Sequence, residues 1–97
     1  MNRWLLIQKG VLLGELRWSH SDFPFEYCRF EPAPAFSAVA PLFAASLQAL
    51  KSDDVSRFEQ AYERIEALGL VLISPDGDER IDGFLLNIDG DQAWFRS

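Results

Sequence analysis

The sequence contains few of the residues that build disulfides, metal centres and nucleophilic active sites. Among its 97 residues there is one cysteine, Cys28, and one histidine, His20. A single cysteine excludes an internal disulfide, and these two residues lack the repeated Cys/His spacing of zinc sites. A glycine-rich phosphate-binding motif is also missing. We therefore expect a protein without enzymatic activity, metal or cofactor, in a reducing compartment.

Charged residues are absent from residues 32–50, yet this segment does not fit a membrane span. It contains three prolines and seven alanines, which leave it too weakly hydrophobic to cross a bilayer. The N-terminus does not resemble a secretory signal, so we expect a cytoplasmic location without membrane contact. The nine basic residues are dispersed and the net charge is −6, which argues against nucleic acid as a partner.

The chain does have enough apolar surface for one packed domain. Hydrophobic residues make up 48% of the sequence, well above the range of disordered chains. A chain of this length buries roughly 60–65% of the surface that its unfolded form exposes. The composition therefore predicts a single globular domain over residues 1–97.

Three strands are predicted in the first third of the chain. Residues 4–8 and 11–18 flank Lys9-Gly10, which fits a two-residue hairpin loop. That loop predicts two cross-strand pairs, Ile7 with Leu12 and Leu6 with Leu13. A polar loop is predicted over residues 19–24, and the third strand over residues 25–30.

Two helices are predicted next. The first has an apolar stripe at spacings of three and four: Phe36, Val39, Phe43, Leu47 and Leu50. Pro41 lies inside this stripe, so either the helix starts with Pro41 in its first turn or a longer helix from about Phe36 is disturbed there; we favour the longer helix. Residues 52–54 fit the start of the second helix, and Gly69 fits its C-terminal cap. Its stripe is Val55, Phe58, Tyr62, Ile65 and Leu68.

Three more strands complete the prediction. Residues 70–73 form a short apolar strand, which a type I turn over residues 74–77 ends. A strand over about residues 79–88 and a final strand through Arg96 flank Asp89-Gly90, which predicts two cross-strand pairs, Phe84 with Phe95 and Leu85 with Trp94. The predicted fold is α+β, with a mainly antiparallel sheet, the order β-β-β-α-α-β-β-β and two helices on one face. The order of strands between the two halves stays open.

Two residue groups invite a chemical interpretation. Residues 19–22, Ser-His-Ser-Asp, lie near Cys28, but catalytic triads converge from separate elements rather than from one loop. Asp76-Gly77-Asp78 and Asp89-Gly90-Asp91 invite a calcium interpretation, but an EF-hand counted from Asp76 would have Arg80 and Ile81 at its fifth and sixth positions. We interpret these groups as a polar connection and two turns, so no catalytic, cofactor or metal residue is predicted.

The charge is unevenly distributed, and this asymmetry predicts an interaction surface. Residues 51–97 carry five basic and eleven acidic side chains. Asp53 and Asp54 fit a helix start, and Asp76 and Asp89 fit turns. The seven acidic residues that remain form a candidate surface for a basic partner: Glu59, Glu63, Glu66, Asp78, Glu79, Asp82 and Asp91. A second candidate contact patch lies at Asp22, Phe23 and Phe25, because aromatics ringed by polar groups favour binding.

Several stretches of the sequence are similar to a known group of proteins. They are residues 22–25, Asp-Phe-Pro-Phe, residues 29–32, residues 41–43 and the ending over residues 84–96. Together they resemble small uncharacterised bacterial proteins of about this length. The resemblance implies a bacterial cytoplasmic origin and carries no activity or functional residue.

These observations lead to two functional hypotheses of different classes. The first is a non-enzymatic protein–protein interaction module, with a toxin-neutralising immunity protein as its more specific form. The second is a small-ligand-binding or regulatory domain with a pocket between the helices and the sheet. A homodimer through an open edge strand is a further expectation.

Overall fold

A computed structural model describes residues 2–97 and confirms the α+β class. Three strands come first, then a 3₁₀ helix, two α-helices and four further strands. The elements are β1 (Arg3–Gln8), β2 (Val11–Asp22), β3 (Phe25–Pro32), the 3₁₀ helix (Pro34–Ala38), α1 (Ala40–Lys51), α2 (Val55–Glu66), β4 (Leu70–Ile73), β5 (Arg80–Ile81), β6 (Leu85–Asp89) and β7 (Gln92–Arg96). No helix in residues 2–97 is long and apolar enough to span a membrane.

The seven strands form one antiparallel sheet in the order β5-β4-β1-β2-β3-β7-β6. The three N-terminal strands are a meander at its centre. The C-terminal strands extend that meander on both sides, because β4 pairs with β1 and β7 pairs with β3. The two halves of the chain therefore share a single sheet.

The sheet is curled so that its two edges approach each other. β5 and β6 lie at opposite edges, yet only residues 82–84 connect them. A fully extended chain covers about 14 Å between Ile81 and Leu85, at about 3.5 Å per residue. The predicted continuous strand over residues 79–88 is therefore wrong: the chain leaves one edge of this half-barrel at Ile81 and joins the other at Leu85.

Two bulges in β2 change the predicted register. Ile7 pairs with Leu12, as predicted, but Leu6 pairs with Gly14 because the ladder shifts at Leu13. A second shift lies between Trp18 and His20. β2 then continues to Asp22, so the polar loop predicted over residues 19–24 is largely strand.

The register of the C-terminal hairpin differs from the prediction by two residues. Leu86 pairs with Phe95 and Asn87 with Trp94, because the loop is Gly90-Asp91 rather than Asp89-Gly90. A shift of two residues keeps each side chain on its predicted face. The Phe84 and Phe95 rings still meet edge to face, with centroids 6.4 Å apart.

Local sequence signals mark the start of both helices and the end of α2. Pro41 lies in the first turn of α1, and the residues before it form the 3₁₀ helix, so the favoured longer helix is wrong and the alternative is confirmed. Asp54 caps α2, because its Oδ1 accepts a hydrogen bond from the Arg57 backbone N–H at 3.1 Å. Gly69 follows α2 with a φ of 68°, as predicted for a helix end.

The helices pack on one face of the sheet, here called the inner face. Phe43 of α1 and Tyr62 and Ile65 of α2 belong to the same buried cluster as the strand residues of that face. The buried strand residues of this cluster are Trp4, Leu6, Leu13, Leu16, Cys28, Phe30, Leu70, Leu72, Leu86, Ile88, Ala93 and Phe95. This confirms the prediction of two helices on one face.

Candidate binding sites

Three of the predicted acidic residues line a groove beside α2. Glu59, Glu63 and Glu66 form one wall, and residues 83–85, with Arg96 and Ser97, form the other. The cavity measures about 460 Å³, and its apolar lining is formed by Phe58, Tyr62, Phe84 and Leu85. We call this cavity the α2 groove.

Asp82 joins this acidic wall from the connection between the two sheet edges. It lines a smaller cavity of about 160 Å³, which shares Tyr62, Glu66 and Phe84 with the α2 groove. Its carboxylate accepts a hydrogen bond from Arg80 Nε at 2.7 Å, and both side chains are exposed. Asp82 is therefore the one predicted hairpin carboxylate that lies beside the α2 carboxylates, and Arg80 partly neutralises it.

The carboxylates of α2 differ from Asp82 in having no counter-charge. None of Glu59, Glu63 and Glu66 forms an ion pair with another of residues 2–97. Among these residues, Arg96 is the one basic side chain that lines the α2 groove. The groove is therefore an acidic surface around an apolar floor.

Tyr62 fixes the floor of the α2 groove to the edge of the sheet. Its hydroxyl accepts a hydrogen bond from the Leu86 backbone N–H at 2.7 Å and donates one to the Phe84 carbonyl at 3.4 Å. Burial raises the pKa of this phenol. The hydroxyl thus stays protonated and bridges α2 to β6, where an edge strand would otherwise leave a free N–H.

Three other predicted acidic residues lie outside the α2 groove. Asp91 pairs with Arg29 at 3.5 Å across the β3–β7 ladder. Asp78 and Glu79 belong to the connection after β4, where their backbone N–H groups donate to Asp76 Oδ1 and to Ser74 Oγ at 3.0 and 2.9 Å. These three residues therefore do not belong to the acidic wall.

The turn predicted over residues 74–77 is confirmed. The Gly77 backbone N–H donates to the Ser74 carbonyl at 2.9 Å, and the buried Ser74 hydroxyl donates to Asp76 Oδ1 at 2.6 Å. The hydrogen bond from Ser74, together with that from the Asp78 N–H, lowers the pKa of the Asp76 carboxyl. Asp76 therefore has the turn role that the sequence assigns to it.

The aromatic patch at residues 22–25 forms the tip of the β2–β3 hairpin. Phe23 is 84% exposed, whereas Phe25 is half-buried and meets Tyr27 edge to face at 6.5 Å. Asp22 pairs with Phe25 at the end of the ladder. These residues contribute to none of the cavities that contain the α2 carboxylates.

A larger cavity lies at the end of the half-barrel where β1 begins. The sequence did not predict it. It measures about 800 Å³, and residues of five strands and of both chain ends line it: Asn2, Trp4, Trp18, Glu26, Ile81, Phe95 and Ser97. We call this cavity the barrel mouth. The sequence holds no local signal for it, because its walls come together only when the two sheet edges approach each other.

Glu26 is the charged group of the barrel mouth. One of its oxygens, Oε1, accepts hydrogen bonds from Trp18 Nε1 at 2.8 Å and from the Ser21 hydroxyl at 2.7 Å. The side chain is half-buried, and it forms no ion pair with the Lys and Arg side chains of residues 2–97. The mouth therefore combines aromatic walls with a fixed carboxylate.

Ser19, His20 and Cys28 line one cavity of about 360 Å³, but no hydrogen bond within residues 2–97 joins the Cys28 thiol to His20. Ser19 Oγ lies 3.1 Å from His20 Nδ1, and the His20 ring stacks on Tyr27 at 4.9 Å. Burial raises the pKa of the Cys28 thiol to about 12, so the thiol is protonated at neutral pH. Within residues 2–97 no group of three or more His, Cys, Asp or Glu side chains could hold a metal ion.

No protein-family model, curated protein or solved structure matches this chain. We therefore infer its function from the geometry and charge of the α2 groove and the barrel mouth.

Proposed function

We propose that this protein is a non-enzymatic interaction module that binds a basic segment of another protein in the α2 groove. The observation that carries the proposal is the wall of unpaired carboxylates, Glu59, Glu63 and Glu66, beside an apolar floor. Lysine and arginine suit such a groove because their aliphatic stems cover apolar surface while their charged ends reach carboxylates. The net charge of −6 also attracts a basic partner from a distance.

A more specific form of this proposal is an immunity protein that neutralises a basic toxin in a bacterial cytoplasm. Rapid capture of a toxin depends on electrostatic attraction, which the acidic C-terminal half supplies. A toxin gene beside the gene for this protein, with a purified complex of the two products, supports this form. An adjacent toxin whose activity is unchanged by a molar excess of this protein argues against it.

The homodimer expected from an open edge strand stays a prediction. Little free backbone is available at either sheet edge for pairing with a second copy. β5 has only two residues, and the Leu86 N–H of β6 already donates a hydrogen bond to the Tyr62 hydroxyl. Sedimentation at several protein concentrations measures the oligomeric state directly.

The α2 groove is tested with a defined basic probe, a labelled peptide of alternating lysine and leucine. The groove variant carries Glu59→Gln, Glu63→Gln and Glu66→Gln. We expect its affinity for the peptide to fall at least tenfold, about 1.4 kcal/mol, when measured by fluorescence anisotropy at about 0.15 M salt, where charges more than about 8 Å away are largely screened.

The matched control carries Asp78→Asn, Glu79→Gln and Asp91→Asn, which removes the same charge outside the groove. We expect this variant to bind the peptide within about threefold of the unmodified protein, because exposed charges at a distance contribute little. An equal loss in both variants would show that net charge alone attracts the peptide and would overturn the assignment of the groove.

A further inference from the structure

We propose that the barrel mouth is a separate binding site for a small organic cation, with an alkylammonium or guanidinium group as its recognised part. The site differs from the α2 groove in its residues, apart from Ser97, and in its ligand class. Trp18 and Glu26 provide the chemistry that recognises such a group.

The aromatic walls favour a cation. Trp4, Trp18 and Phe95 line the mouth, and the ring faces of tryptophan attract cations more strongly than those of other aromatics. Trp18 is 44% exposed, so part of its ring is accessible to a ligand. Its indole N–H is held by Glu26, so its ring is positioned before a ligand arrives.

Glu26 provides the counter-charge. Both of its hydrogen bonds are made by Oε1, and Oε2 has no hydrogen-bond partner among residues 2–97. Oε2 is therefore free to accept a hydrogen bond from an ammonium or guanidinium group. The charge of Glu26 also contributes, after burial, to the raised pKa of the neighbouring Cys28 thiol. A bound cation would neutralise this charge.

The shape of the mouth fits a small molecule. Its volume of about 800 Å³ lies within the roughly 300–1,000 Å³ typical of ligand sites, which often occupy the mouths of β-barrels. A neutral apolar ligand would cover Glu26 without compensating its charge, and an anion would be repelled by it. A cation is the class that both the walls and the carboxylate favour.

The experiment uses choline, n-butylammonium and n-butylguanidinium, with 3,3-dimethyl-1-butanol as the neutral isostere of choline. Titrations are followed by calorimetry and by the NMR signal of the Trp18 indole N–H. We expect at least one cation to bind with a Kd of about 1 mM or tighter and to shift that signal. We expect the isostere to bind at least tenfold more weakly than choline if choline is the cation that binds.

The test variant is Glu26→Gln, which keeps an oxygen acceptor for Trp18 and Ser21 but removes the charge. We expect it to lose at least tenfold in affinity for the cation, and Glu79→Gln, which lies outside both the barrel mouth and the α2 groove, to keep the original affinity. The proposal is overturned if none of the three cations binds, if the neutral isostere matches choline, or if Glu26→Gln binds the cation as tightly as the unmodified protein does. None of these results bears on peptide binding in the α2 groove.

Discussion

At the scale of single residues, the Tyr62 hydroxyl stabilises the contact between α2 and the edge strand β6, because it hydrogen-bonds to the backbone of Phe84 and Leu86. Tyr62→Phe would leave the Leu86 N–H without its partner in a buried position. We expect the free energy of unfolding to fall by about 1–3 kcal/mol, the usual cost of a buried unsatisfied donor, measured by chemical denaturation.

Tyr27→Phe is the matched control for this prediction. The Tyr27 ring stacks between His20 and Trp94, but its hydroxyl forms no hydrogen bond within residues 2–97. We expect the free energy of unfolding of this variant to lie within about 0.5 kcal/mol of that of the unmodified protein. Similar losses in both variants would contradict the bridging role of Tyr62.

Cys28 offers a second test at this scale. The thiol is 5% exposed and its pKa is raised to about 12, whereas a free thiol titrates near 8.5. The thiolate fraction at pH 8 is therefore lower in the folded protein by a factor of about a thousand. We expect an aromatic disulfide reagent to label the folded protein at least that much more slowly than the denatured protein, and rapid labelling of the folded state would exclude this burial.

At the scale of elements, the bulge in β2 places Gly14 where only hydrogen fits. A Cβ built on Gly14 would lie 2.6 Å from the Phe30 ring and 2.9 Å from the Glu31 carbonyl oxygen. The Phe30 ring is itself held by Phe36, with centroids 4.9 Å apart. We expect Gly14→Ala to lower the free energy of unfolding by about 1–3 kcal/mol.

Gly83→Ala provides the control for Gly14→Ala. Gly83 has no positive φ, and a Cβ there would meet no atom within 4 Å. We expect thermal denaturation to show a clear loss for Gly14→Ala and almost none for Gly83→Ala. Equal stability of the two variants would contradict the close approach of Phe30 to β2.

The elements that the sequence predicts correctly are those with short-range causes. The cap at Asp54, the end at Gly69 and the turn after β4 depend on neighbouring residues alone. The predicted helix stripe of α2 fails at Val55, which is 67% exposed, because the first turn extends beyond the core. The interruption between β5 and β6 at residues 82–84 also has no local signal. It occurs because the chain crosses there from one edge of the sheet to the other.

At the scale of the whole molecule, the parts of the α2 groove and the barrel mouth that depend on neighbouring residues can be predicted from the sequence. The parts that depend on the curl of the sheet cannot. The spacing of Glu59, Glu63 and Glu66 places them on one side of α2, so sequence alone predicts that wall of the groove. Their meeting with Asp82 follows from the curl of the sheet. Trp18 pairs with Cys28, two residues from Glu26 along β3, which places both side chains on one face, but the bulge after Trp18 hides this pairing from the sequence.

The position of the β1–β3 meander at the centre of the sheet also constrains how the chain folds. One neighbour of β1 follows after a two-residue turn, but the other, β4, lies more than half the chain length away, as β7 does from β3. A nascent chain therefore presents a three-stranded meander with two unpaired edges until residues 70–96 leave the ribosome. Such distant pairings slow folding, and the sheet cannot be completed before both β4 and β7 have been synthesised.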